Sequence, residues 1–103
     1  MIDGVIFTSD VIVFPDRVKS DWWRLEGHKL QLPDIQEVLQ AKPAVLIVGT
    51  GAFGMMKVMP EVVEAAEAAG IRLEIERTGK ACELYNELAE RERRLVAALH
   101  LTC

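Results

Sequence analysis

Gly49-Thr50-Gly51-Ala52-Phe53-Gly54 spells GxGxxG directly after the apolar run Ala44-Val45-Leu46-Ile47-Val48. In a dinucleotide-binding unit this pattern brings a helix N-terminus onto a pyrophosphate, and an acidic residue about twenty positions on reaches the ribose. Glu76 stands near that distance. The fingerprint also requires the helix to open within the glycines. Here Met55-Met56-Lys57-Val58-Met59 intervenes before Pro60 can begin one. The glycines therefore read as a tight strand exit and a close packing point. A looser chemistry survives, in which amides of residues 50–52 form a nest for an anion.

Thr78, Cys82 and Asn86 are spaced i, i+4, i+8 and share one helical stripe. A thiol near the first turn of a helix sits at the positive end of the macrodipole, which favours the thiolate. A nucleophilic Cys82 would need a base, and His28 and His100 are the candidates. The plain alternative is a small buried residue, since free cysteine is among the most buried types. His100 and Cys103 form half of a zinc pattern, but no second pair with ligand spacing follows, so no metal is expected. Trp22, Trp23, Arg24 and His28 gather the residue types that recur at interaction hot spots, although alternation along a strand would turn one indole inward. Met55, Met56 and Met59 read as core filling. No Ser-His-Asp order, P-loop, paired-carboxylate signature or HExxH motif occurs. Neither a catalytic activity nor a cofactor is indicated.

The elements that must position these residues follow from periodicity. Ala44 to Val48 is an uninterrupted apolar run and reads as a strand buried on both faces. Pro60 fits the first turn of a helix to Ala69 that buries Val62, Val63, Ala66 and Ala69, with Gly70 ending it. Ile71 to Glu76 alternates apolar and charged residues, as a strand near a sheet edge does. Thr78 is expected to cap a helix reaching Arg91 that buries Ala81, Leu84, Tyr85 and Leu88. Leu95 to Leu101 lacks a polar face and reads as the closing strand. Earlier in the chain, Val5-Ile6-Phe7 and Val11-Ile12-Val13-Phe14 form an expected hairpin around Thr8-Ser9-Asp10, and Trp22-Trp23-Arg24 is a third extended piece. Pro33-Asp34 opens a short helix with Ile35, Val38 and Leu39 on one stripe.

With 103 residues the chain is a single domain, residues 1–103. Residues 1–30 make an antiparallel β portion and residues 44–103 a βαβαβ unit. The expected fold class is α/β. Parallel strands joined by overlying helices bring Gly49, Thr50, Gly51, Thr78, Cys82 and the chain end to one rim. A net charge of −4 argues against nucleic acid, because the Arg91, Arg93 and Arg94 cluster is interleaved with Glu90 and Glu92. No membrane span and no signal peptide is expected, and Cys82 and Cys103 read as free thiols of a cytoplasmic protein.

Thr8-Ser9-Asp10-Val11, Phe14-Pro15-Asp16, Trp23-Arg24, Gly27-His28, Gly49-Thr50-Gly51, Thr78, Ala81-Cys82, Tyr85-Asn86 and His100-Leu101-Thr102-Cys103 occur in that order. As an ordered set over nearly the whole chain, they resemble the small domain of adipogenesis-associated domain-containing proteins and of the mitochondrial complex I assembly factor 3 group, which also has prokaryotic members. The resemblance implies the three-layer α/β domain, no established catalysis, and a role in binding other proteins. It also supports a pocket of Gly49, Thr50, Gly51, Thr78, Cys82 and Asn86, without implying a ligand. The expected function is a non-catalytic protein-binding or assembly-factor-like module with an unidentified protein partner and room for homo-oligomers. The alternative is an anionic-ligand protein or enzyme using the rim pocket.

Overall fold

The computed structural model describes residues 10–19, 22, 29–51, 54 and 56–100. Five strands form one mixed sheet: β1 (Val11–Val13), β2 (Val18–Lys19), β4 (Val45–Thr50), β6 (Arg72–Glu76) and β7 (Leu95–His100), in the order β2-β1-β7-β4-β6. Two short strands, β3 (Lys29–Leu30) and β5 (Lys57–Val58), pair separately and in parallel. The helices are α1 (Gln36–Ala41), α2 (Pro60–Ala68) and α3 (Thr78–Leu88), and a 3₁₀ turn over Leu32–Ile35 leads into α1. This is an α/β domain with the expected parallel core: β4 lies between β6 and β7 and is parallel to both.

The closing segment is a strand, and it occupies the middle of the sheet. β7 pairs in parallel with β4 on one side and antiparallel with β1 on the other. Its residues Leu95 to Leu99 are all buried, as a strand covered on both faces must be. Side chains alternate between two cores. Leu46, Val48, Val96 and Ala98 join Ile12, Ile35, Val38, Val62 and Ala66 on the face covered by α1 and α2. Val45, Ile47, Leu95, Ala97 and Leu99 join Val11, Val13, Ala81 and Tyr85 on the face covered by α3. The chain steps outward from β4 to β6, then back past β4 to β7. Two crossovers of one hand taken in opposite directions require helices on opposite faces, which is where α2 and α3 lie.

Several expectations need correction. The described hairpin is β1 with β2, closed at Phe14 and Arg17 through a 2.8 Å backbone bond, with Pro15-Asp16 as its turn, and not a hairpin around Thr8-Ser9-Asp10 within the described residues. Residues 5–7 lie outside the described set. Not all of residues 1–30 belongs to the antiparallel portion, because Lys29–Leu30 pairs in parallel with Lys57–Val58. Leu30 is fully buried and seats this small sheet on the α1/α2 core. Thr78 is the first helical residue of α3, and Arg77 is the N-cap. The helix ends at Leu88, short of the expected Arg91. On α2, Val63 is 39% exposed rather than buried. β6 is an outer strand, as its charged alternation indicates.

Leu46 is fully buried at the centre of β4. Leu46→Ala is expected to lower unfolding stability by about 2–5 kcal/mol, through lost burial and the cavity it leaves. Val63→Ala on the outer side of α2 should change it by no more than about 0.5 kcal/mol. Urea denaturation of both variants checks the pair.

Candidate functional site

The carboxyl ends of β4 and β7 meet the start of α3, and Thr78 ties them together. Its hydroxyl donates to the His100 carbonyl at 2.5 Å and accepts the Gly51 N–H at 2.8 Å. The Thr78 N–H in turn donates to the Gly51 carbonyl at 3.2 Å. Next to this closure, Thr50 Oγ1 donates to the Glu76 carbonyl at 3.2 Å, joining β4 to the end of β6. The rim residues Gly49, Thr50, Gly51 and Thr78 thus come together as topology requires, and all four are buried.

The glycines have specific reasons to be there. A Cβ on Gly49 would come within 2.9 Å of Leu99 Cδ2 and of Thr78 Oγ1, and 3.2 Å from Thr78 Cα. The last is backbone and cannot rotate away, so Gly49 is where α3 rests on the sheet. Gly51 has φ +103°, a conformation that L side chains rarely adopt. Its amide is already engaged by Thr78, and α2 begins only at Pro60, after β5.

Cys82 lies one turn into α3, partly buried against the Val11, Ile47 and Leu99 core. Burial is the larger cause that pushes its thiol above the ordinary value of 9.0. Desolvation thus opposes the thiolate that the helix dipole would favour. Asn86 stands a further turn along, exposed, and about 12 Å down the helix axis from Thr78 at 1.5 Å per residue. It is not brought to the rim.

One pairing is invisible to sequence spacing. His100 Nδ1 lies 2.8 Å from Asp10 Oδ2, and the two side chains are 4% and 14% exposed. An ionised carboxylate can only accept, which puts the proton on Nδ1. The Asp10 carbonyl accepts the Trp22 N–H at 2.9 Å, and the Trp22 indole N–H donates to the Asp34 carbonyl at 3.2 Å. Trp22 is 3% exposed and belongs to the core, so its place in the expected partner surface is corrected. Trp23, Arg24, His28 and Cys103 lie outside the described residues. Among the described residues, no group of three or more His, Cys, Asp or Glu side chains is arranged to hold a metal ion. No helix among them is long and apolar enough to cross a membrane.

A model of a protein family of unknown function, DUF498/DUF598, matches residues 1–100. The chain belongs to that family. Its fold is shared by the conserved hypothetical protein PH1505 from Pyrococcus horikoshii, at 29% identity over 99% of this chain and 90% of that one, with a TM-score of 0.83. XCC1710 from Xanthomonas campestris is 30% identical over 96% of this chain and 74% of that one, with a TM-score of 0.77. A protein from Bordetella pertussis, described as a Mth938-like domain, is 26% identical over 95% of this chain and 77% of that one, with a TM-score of 0.64.

Thr78→Val keeps the shape of the side chain and removes both hydrogen bonds of its hydroxyl. Leaving the buried Gly51 N–H and His100 carbonyl unmatched should cost about 1–3 kcal/mol for each group, while Thr78→Ser should retain most of the stability. Urea midpoints of the three proteins test this.

For Cys82, a raised folded value means stability that is present below pH 9.0 and is lost as pH rises through the folded value. Iodoacetamide labelling over a pH series should accordingly rise later for Cys82 than for the same thiol in the urea-unfolded chain. An earlier rise would restore the reactive-thiolate reading.

Proposed function

We propose that this chain is a non-catalytic protein-binding module of the assembly-factor kind, acting in the reducing cytoplasm on a protein partner. One observation carries the reading. The rim where an α/β sheet usually receives a ligand is closed by the chain itself, with the Thr78 hydroxyl accepting from the Gly51 amide and donating to the His100 carbonyl. An anion held there would have to displace Thr78 from Gly51. Burial shifts the Cys82 thiol toward its protonated form. These features support a rim that holds the fold together, and they leave the anionic-ligand alternative without its first donor.

The assembly-factor part of the reading comes from the ordered residue set resembling the complex I assembly factor 3 and adipogenesis-associated groups, carried on a Mth938-like fold. With Trp22 inside, the proposed partner surface rests on Trp23, Arg24 and His28. The net charge of −4 directs the choice toward proteins rather than nucleic acid.

Phosphate, sulfate and a panel of anionic metabolites are expected to leave the melting temperature unchanged. A specific ligand at a hundred times its Kd would add about 2.7 kcal/mol, which raises Tm by roughly 10 °C or more in a domain this small. Affinity capture from native lysate should recover a saturable protein partner. A stabilising anion whose effect Thr78→Val abolishes, or the absence of any saturable partner, would overturn the proposal.

A further inference from the structure

The two edges of the main sheet are finished differently. β2 is two residues long, follows Pro15 and carries Lys19, and its flank is tied to α1. Arg17 Nη2 and Lys19 Nζ reach the Glu37 carboxylate at 2.8 and 3.1 Å. Shortness, proline and lysine are devices by which proteins keep sheet edges from pairing. β6, at the other edge, has five residues, no proline and no lysine, and among the described residues its strand neighbour is β4 alone.

The hydrogen bonds of β6 fix which of its groups look outward. The Arg72 N–H donates to the Ala44 carbonyl at 2.9 Å, and the Glu76 carbonyl accepts from Thr50, so both residues turn their backbone groups toward β4. Backbone groups alternate sides along a strand, which turns the N–H and C=O of Leu73 and Ile75 away from the sheet. Ile75 is 41% exposed on the α2 face, an unusual position for a large apolar side chain in a strand.

The sequence Arg72-Leu73-Glu74-Ile75-Glu76 complements itself when run in reverse. We infer that β6 pairs antiparallel with β6 of a second copy of this chain, about a two-fold axis through Glu74. In this register Leu73 exchanges backbone bonds with Ile75 of the second copy, and Ile75 with its Leu73. The same pairs place their apolar side chains together on the α2 face and cover Ile75. On the α3 face Arg72 stands opposite Glu76 of the second copy, and Glu76 opposite its Arg72. Glu74 meets its counterpart at the axis, where each is already neutralised by its own Arg72 at 2.6 Å. The interface is isologous, as a two-fold dimer requires. One short strand pair buries less than the roughly 1,200 Å² of a stable complex, so the dimer is transient.

This inference goes beyond the protein-binding proposal, and its test separates the two. Sedimentation velocity from micromolar to millimolar protein should show a reversible dimer. Amide exchange at Leu73 and Ile75 should slow as concentration rises. Arg72→Glu and Glu76→Arg should each weaken self-association at least tenfold. Combining both changes in one chain should restore it, because the two cross-strand ion pairs re-form with exchanged signs. All three variants should keep the parent melting temperature to within a few degrees, since both side chains lie at the surface edge.

A monomer at millimolar concentration, indifference to both single changes, or failure of the combined variant to recover would overturn the inference. So would protection of Leu73 and Ile75 only by an added peptide of alternating lysine and valine, which would assign the edge to a basic partner strand. A lysate protein still captured by both single variants would leave the protein-binding proposal standing whatever becomes of the dimer.

Discussion

β7 enters the sheet between β1 and β4, antiparallel to the first and parallel to the second, and its side chains contribute to both cores. Without it, the β1–β2 hairpin and the β4–β6 pair are separate objects with no shared core. Its composition suits that place. Leu95-Val96-Ala97-Ala98-Leu99 has no polar side chain to strand in the interior, and its two central alanines leave room for the larger side chains of the covering helices. The arrangement also has a kinetic consequence. The strand that completes the sheet is the last described element, and its partner Val11 lies at the other end of the sequence. Pairings of such long separation are slow to close, because the loop entropy is lost before the contacts form.

Sequence and structure agree best where burial dictates composition. The runs beginning at Ala44 and Leu95 lack a polar face and are interior strands, although propensity alone would also let the second extend α3, and the Pro60 start and Gly70 stop of α2 follow from backbone chemistry that tertiary context rarely overrides. The alternation of Arg72 to Glu76 marks an edge, and β6 is one. Two-residue strands are not legible: Val18–Lys19 and Lys29–Leu30 are too short to display any period, and the partner of the second lies far along the chain. The pairing of Asp10 with His100 is hidden for the same reason, since no spacing rule connects residues so far apart. Thr78 reads as a cap because a threonine before a helix usually gives its hydroxyl to the first turn. Here the sheet offers that hydroxyl better-placed partners.

The polar groups buried around β1 work as connections between parts that hydrophobic packing alone would let slide. Asp10 joins three of them: its carboxylate holds His100 on β7, its carbonyl holds the Trp22 amide, and Trp22 then reaches the Asp34 carbonyl in the turn before α1. Apolar contact is nearly indifferent to register, whereas a buried hydrogen bond is lost after a displacement of about an ångström. Such a chain therefore fixes the N-terminal portion at one height against the central sheet.

The same reasoning accounts for a nucleotide-like glycine pattern in a chain whose rim is closed. At the start of a helix the free amides form a positive end that commonly receives a phosphate. In this protein Gly51, at φ +103°, turns its carbonyl toward the first amide of α3, and the Thr78 N–H bonds to it. A carbonyl oxygen carries the partial negative charge that an anion would otherwise bring. The Thr78 hydroxyl, released from capping, then spans the gap between β4 and β7, and Gly49 allows α3 close enough for it to reach. Each glycine meets a geometric demand of that closure, so the motif follows from how α3 docks on the sheet, and no phosphate is needed to explain it.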